Sequence, residues 1–229
     1  MLQILSTTFS ILAAPTLVPA PAVLMAPPHA PVHGARSRRK RSERRMRPKY
    51  QTASGQRKPK NPEGKLTTYK VMVEKSTGYP IEKFAQEVEE ILLDERGWQA
   101  SGKVTFWRKK KARIRIILAT PATVDRLCRP LNTNGYVSCH KQGTVALNVA
   151  RWRENAAAFP GDLQAYRTYL INHEVGHALG QRHRYCKRDG SPVPVMHPQT
   201  YGFINCADNF WPLNNELTRV RGPRRWKIR

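Results

Sequence analysis

The segment His173-Glu174-Val175-Gly176-His177 limits the possible fold and chemistry of this chain more than any other part of the sequence. On a helix, His173 and His177 are four positions apart, so both imidazoles project from one face and can bind one metal ion. Glu174 follows the first histidine, where its carboxylate can take a proton from a metal-bound water. The pattern therefore predicts a helix that carries a metal on one face.

Gly180 and His183 extend this pattern to H-E-x-x-H-x-x-G-x-x-H. A glycine can leave a helix in a left-handed conformation that a residue with a Cβ resists, and such a turn would bring His183 back as a third ligand. Three protein ligands plus water are typical of a catalytic zinc site, whereas a structural site has four protein ligands. The alternative is a buried helix whose histidines are satisfied core residues. We favour zinc because the extended motif rarely arises by chance.

These residues match the signature of the metzincin zinc peptidases, and the chain from about residue 65 onward resembles a compact member of that family. Metzincins carry a methionine-containing turn beneath the metal, and Met196 within residues 192–198 fits that role. More narrowly, the chain is similar to a group of secreted actinobacterial metzincin-like domains of unassigned activity. That similarity lies in the approach to His173, the turn at Met196 and the closing residues 206–212.

The resemblance implies an α+β fold. It would have a mixed, mostly parallel, twisted sheet of about five strands, an active-site helix, a methionine turn and a C-terminal helix. The residue pattern agrees, with strands at 66–74, 104–107, 114–119, 135–139 and 144–149 and helices at 81–97, 163–179 and 214–220. In this family an edge strand pairs with an extended substrate, and residues 135–139 would be its counterpart. Residues 208–212 would form part of the specificity wall or of the core.

The implied function is that of a secreted zinc metalloendopeptidase acting on an extended peptide or protein. One zinc ion per chain would be held by His173, His177 and His183. Glu174 would be the general base towards a zinc-bound water, and Met196 would be structural. One alternative is a zinc-retaining, metzincin-like binding domain with little or no turnover. Another is a basic nucleic-acid-binding protein, although the basic tail lacks interleaved aromatic residues, so we expect no specific nucleic acid. We expect a monomer.

Positive charge is concentrated ahead of the predicted domain. Residues 36–60 hold 12 lysines and arginines against one acid, in a chain of formal net charge +24. Such a segment repels itself and has little apolar surface to bury, so residues 36–61 are predicted to be a basic disordered linker before one domain at 62–229. The linker is either simply solvated or attaches to an anionic surface, such as cell wall or lipid headgroups.

The first 35 residues contain no Lys, Arg, Asp or Glu. The apolar stretch 2–14 and the small residues Ala20 and Ala22 are typical of a signal peptide and its cleavage site, although no basic residue precedes the stretch. We therefore predict a signal peptide and Ala/Pro-rich leader over 1–35, and a secreted or cell-envelope-associated protein. A disordered leader, or a later start at Met25 or Met46, would instead leave the protein in the cytoplasm.

Four cysteines lie inside the predicted domain, and none forms a C-x-x-C pair; they are Cys128, Cys139, Cys186 and Cys206. Four cysteines allow three pairings. We favour Cys128 with Cys139 and Cys186 with Cys206, because each pair closes a short loop and the second would brace the segment that carries Met196. Reduced thiols in a cytosolic protein are the alternative.

Overall fold

A six-stranded sheet is the framework of the fold in the computed structural model, which describes residues 47–56, 59, 64–203 and 205–222. The strands are β1 Tyr50–Thr52, β2 Lys65–Glu74, β3 Val104–Arg108, β4 Ile114–Ala119, β5 Cys139–Lys141 and β6 Thr144–Asn148. Their order is β1-β2-β4-β6-β5, and β3 also pairs with β2. β2, β3, β4 and β6 are parallel, whereas β1 and β5 are antiparallel to their neighbours. The mixed, mostly parallel sheet agrees with the prediction, with six strands instead of about five.

Helices pack against both faces of the sheet. Within the described residues the α-helices are α1 Ile81–Leu93, α2 Pro121–Cys128, α3 Val149–Glu154, α4 Leu163–Ala178 and α5 Asn214–Leu217. Short 3₁₀ turns lie at Lys75–Thr77, Trp98–Ser101 and Gln199–Tyr201. None of the helices described is long and apolar enough to cross a membrane.

The main core lies on the face of the sheet that α1 and α4 cover. Alternate residues of β2, namely Tyr69, Val71 and Val73, point into this core and are almost fully buried. Phe84 of α1 and Ile171 of α4 belong to the same cluster. On the opposite face, α2 covers a smaller apolar cluster that includes residues of β4, β5 and β6.

Several elements differ from the sequence-based expectations. The edge strand β5 begins at Cys139 instead of covering 135–139, because Asn134 and Gly135 adopt left-handed conformations in a turn closed by the Tyr136 N–H to Thr133 carbonyl bond. Helices α2 and α3 were not predicted, and α5 ends at Leu217. β1 lies within the range predicted as basic linker. The predicted leader at 1–35 lies outside the described residues, as do residues 36–46, 57, 58, 60 and 61 of the linker predicted over 36–61.

Both predicted disulfide pairings are confirmed. Cys128–Cys139 joins the end of α2 to the start of β5, and Cys186–Cys206 closes the loop that contains Met196. Disulfides form and persist in oxidising environments, so this pair of bonds favours an extracytoplasmic location.

Candidate metal centre

Helix α4 positions the central residues of the predicted motif. The side chain of Asp162 accepts a hydrogen bond of 2.7 Å from the backbone N–H of Ala165 and thereby caps the helix. Most residues of α4 are buried on all sides, as is typical of a helix in the interior of a domain. The indole N–H of Trp98 donates to the backbone carbonyl of Asn172, which fixes the helix one residue before His173.

The three predicted histidine ligands converge on one point. The Nε2 atom of His177 lies 3.2 Å from Nε2 of His173 and 3.2 Å from Nε2 of His183. These three side chains form a cluster able to hold a metal ion. Nitrogens bound at 2.0–2.1 Å to a tetrahedral zinc lie about 3.3 Å apart, so these two distances fit zinc.

Backbone carbonyls orient two of these rings. Nδ1 of His173 lies 2.8 Å from the carbonyl oxygen of Val195, and Nδ1 of His177 lies 3.1 Å from that of Gln181. A carbonyl can only accept, so each Nδ1 carries the proton and each Nε2 keeps its lone pair for a metal. Burial also lowers the pKa of His173 and His177, which favours the neutral imidazole that metal binding requires.

The exit of the helix brings the third histidine into place. Gly180 has a φ of +90°, a conformation that side chains with a Cβ resist. The N–H of Gln181 then donates back to the carbonyl of Gly176 at 2.9 Å. Two residues later, the exposed His183 reaches the other two rings. The structure therefore explains why the glycine of the motif stands at this position.

Glu174 is buried beside the histidine cluster, and it lines the cleft that opens over this cluster. Within the described part of the chain, its Oε2 atom has no hydrogen-bond partner. Among the protein's own groups, burial raises the pKa of this carboxyl group to about 8. A buried carboxylate oxygen without a protein partner is available to a water molecule or a substrate.

Met196 lies directly under the helix, as expected for a residue with a structural role. It is fully buried, and a Cβ at Gly176 would clash with its sulfur and with the Trp98 ring. The carboxylate of Glu216 accepts hydrogen bonds from the backbone N–H groups of Met196 and Val195. Sequence reasoning missed Glu216, because it acts from 20 residues further along the chain.

A cleft of about 490 Å³ opens over the histidine cluster. One side is formed by the edge strand, and the other by the segment after Met196. Its lining includes Asn132, Ser138, Cys139, His140, Tyr169, Glu174, Arg182, Pro198, Thr200 and Tyr201. Sequence reasoning missed the lining role of Tyr169, although it precedes His173 by four residues and so shares its helix face.

The expected wall residues 208–212 do not line this cleft. Phe210 and Trp211 pack against the main core and border a separate depression with Asp94 and Arg96. Pro198, Thr200 and Tyr201 occupy the wall instead. After the methionine turn, the cleft wall is therefore formed by residues 198–201, which precede in the chain the residues 208–212 that the resemblance implied.

Comparison with known proteins places the chain in a family. No curated protein matches it. The model of a family described as "Protein of unknown function (DUF3152)" matches residues 40–220, which is well over half of the chain. The chain therefore belongs to the DUF3152 family.

Proposed function

We propose that this protein is a zinc-dependent endopeptidase of the metzincin type. The observation that carries the proposal is the convergence of three Nε2 atoms, 3.2 Å apart in two of their three pairs, beside a buried carboxylate in an open cleft. A structural zinc site would be closed by a fourth protein ligand. Within the described residues, the cluster of possible metal ligands contains only the three histidines.

Zinc held by these histidines would polarise a peptide carbonyl and lower the pKa of a water molecule towards neutrality. The protein's own groups perform the proton transfers. Glu174 takes the proton of the attacking water and passes it to the leaving amine, for which its partnerless Oε2 atom is available. The carbonyls of Val195 and Gln181 hold two ligand rings in the required tautomer throughout.

The edge strand supports an extended peptide as the substrate. β5 ends the strand order of the sheet, and its residues Cys139 and His140 line the cleft. A strand edge beside a cleft can supply backbone hydrogen bonds to an extended peptide whatever its side chains. The two disulfides and the predicted signal peptide support action outside the cytoplasm.

The test is cleavage of a quenched-fluorescent peptide library by the full chain, with Glu174→Gln as the variant and the exposed Glu95→Gln as the matched control. Chelator-sensitive cleavage should fall by at least about 10²-fold in Glu174→Gln while bound zinc is retained, since general bases contribute 10²–10⁴-fold. The control should cleave like the wild type. Bound zinc without cleavage would favour the binding-domain alternative, and equal cleavage by both variants would contradict the role of Glu174.

A further inference from the structure

A row of cations crosses the sheet face opposite the main core. Lys70 of β2 pairs in register with Arg115 of β4, Arg115 pairs with Thr144 of β6, and Thr144 pairs with Lys141 of β5. The four residues thus stand side by side on four adjacent strands. At about 4.8 Å between strands, the row spans about 14 Å. We call Lys70, Arg115 and Lys141 the basic row.

Alternation along the strands fixes the face to which the basic row belongs. Tyr69 and Val71, the neighbours of Lys70, point into the main core, so Lys70 points to the other side. The next cross-strand row on that side is Met72, Ile117, Ala146 and Cys139, which belongs to the apolar cluster under α2. The basic row lies next to this apolar row, two residues away along each strand, and its three cations are partly exposed.

The basic row has an energetic cost, and the hydrogen bonds shown for its cations go to neutral groups: the Lys141 ammonium donates to the Arg129 backbone carbonyl. Like charges directly opposite each other on neighbouring strands are destabilising, and Lys70 faces Arg115. Burial, followed by the Arg115 charge, lowers the pKa of Lys70. In the described part of the chain, no ion pair involves any of the three cations. The Arg115 guanidinium donates to the Thr144 hydroxyl at 2.6 Å, and its Nε atom has no partner among the described residues.

Neighbouring groups add positive charge and supply no compensating acid. Arg113 lies directly before β4, two residues from Arg115, and adds a positive charge at this end of the strand. The acid on this face of β2 is Glu74, but its carboxylate accepts hydrogen bonds from Thr120 and Thr123 at the start of α2. The face therefore suits an anionic partner.

The shape and chemistry of the face distinguish between anionic partners. Nucleic-acid-binding sheets offer aromatic rings on which bases stack, whereas the Trp107 ring here lies under the Lys109 ammonium, 4.1 Å from its centroid. Membrane-binding faces also insert several apolar side chains. Among the described residues, the exposed Leu131 and Tyr201 line the cleft, and Leu66 of β2 is the large exposed apolar residue on the side of the basic row. A narrow line of cations best fits a linear chain of anionic groups.

We propose that the basic row binds a linear phosphate-bearing polymer of the cell envelope and holds the protein there. The disulfides favour an oxidising location, where such a polymer is accessible. Binding on this face leaves the cleft free, because none of the three cations of the basic row lines it. The inference is independent of peptidase activity.

The test uses the full chain and immobilised long-chain inorganic polyphosphate as the probe. Lys70→Glu/Lys141→Glu should weaken binding by at least about 10-fold at 50 mM salt and reduce the slope of log affinity against log salt by about two. Lys75→Glu/Lys83→Glu changes the net charge equally at exposed positions away from the row and should weaken binding by less than about 3-fold. The basic tail is the same in every variant.

Thermal unfolding would verify that the variants are folded, and Lys70→Gln/Lys141→Gln replaces the first variant if it is not. The neutral pair should still weaken binding more than the control does. Equal losses in the row and control variants would overturn the proposal, since net charge alone would then explain binding. Absence of polyphosphate binding, or tighter binding to anionic lipid vesicles or a single-stranded oligonucleotide, would overturn it as well.

Discussion

The backbone N–H of Met196 donates a hydrogen bond of 2.9 Å to Oε1 of Glu216, a residue that is completely buried. Oε2 of the same carboxylate accepts from the N–H of Val195 at 3.1 Å. The carbonyl of Val195 in turn orients the imidazole of His173. Glu216 therefore connects α5 to the histidine cluster through the turn that contains Met196.

Replacement of Glu216 by Gln should destabilise the fold and loosen the turn. The amide nitrogen cannot accept, so one of the three backbone N–H groups bonded to Glu216 would be left buried without a partner. We expect the free energy of unfolding to fall by about 1–3 kcal/mol. Urea unfolding of the variant, with the exposed Glu95→Gln as the control, measures this. An unchanged midpoint would show that the carboxylate does not brace the turn.

The wild type and Glu216→Gln also test how burial affects the pKa of Glu216. Burial raises the pKa of this carboxyl group above its ordinary value of 4.5, against the opposing effect of its backbone hydrogen bonds. The folded state then holds the proton more tightly than the unfolded state, so stability falls as pH rises from 4.5 through the raised pKa. The difference in unfolding free energy between wild type and Glu216→Gln should therefore shrink over that rise. A growing difference would mean that the hydrogen bonds outweigh burial.

Gly176→Ala should disrupt the packing under the histidine cluster. Alanine normally stabilises a helix relative to glycine by about 0.5–1 kcal/mol, but here its Cβ would clash with Met196 and Trp98. Overpacking of this kind costs about 1–3 kcal/mol, so a lower melting temperature is expected. Calorimetry of Gly176→Ala, Met196→Ala and the double variant would measure the coupling. The double variant should be more stable than the sum of the single effects predicts, and strict additivity would argue against contact.

His183→Ala should remove zinc without unfolding the chain, because His183 is exposed and contributes little to the core. We expect its zinc affinity to fall by more than about 100-fold, which exceeds the usual effect of losing an outer-shell contact. His140→Ala is the control, since His140 lines the same cleft but lies outside the histidine cluster. Competition titration with a chromophoric chelator measures both variants. Similar losses in the two would contradict the assignment of His183 as a ligand.

Loss of the Cys128–Cys139 disulfide should weaken the edge of the cleft. This bond joins α2 to the first residue of β5, across 11 positions of sequence. Cys128→Ser/Cys139→Ser should lower the free energy of unfolding by about 2–5 kcal/mol. Chemical unfolding measures the loss, and hydrogen exchange of residues 139–141 should increase in the variant. Unchanged exchange there would show that the strand is held by its pairing with β6 alone.

Local sequence patterns predicted the parts of the fold that depend on local chemistry. The helix from Leu163 to Ala178 ends within one residue of its predicted end, because Asp162 caps it and Gly180 follows it. The sequence spacing of the three histidines likewise determines that their rings meet, because the helix and the turn that follows it place them. The disulfide pairing followed from short loop lengths.

The features that were missed depend on tertiary contacts. Helix α2 begins directly after its N-cap residue Thr120, whose backbone and hydroxyl donate to Glu74, 46 residues earlier in the chain. Its other determinant is the apolar row of β4, β5 and β6 that it covers. The basic row is also invisible in the sequence, because Lys70, Arg115 and Lys141 meet only through the register of the strands.

Elemental analysis of the purified full chain tests the central claim most directly. The structure brings three histidines together in a cluster that could hold a metal ion, so the account predicts one zinc ion per chain in the wild type and in Glu174→Gln. His177→Ala should retain almost none. The account would be contradicted if folded wild-type protein that has been supplied with zinc contained no metal. The proposed zinc-dependent hydrolysis would then be wrong as well.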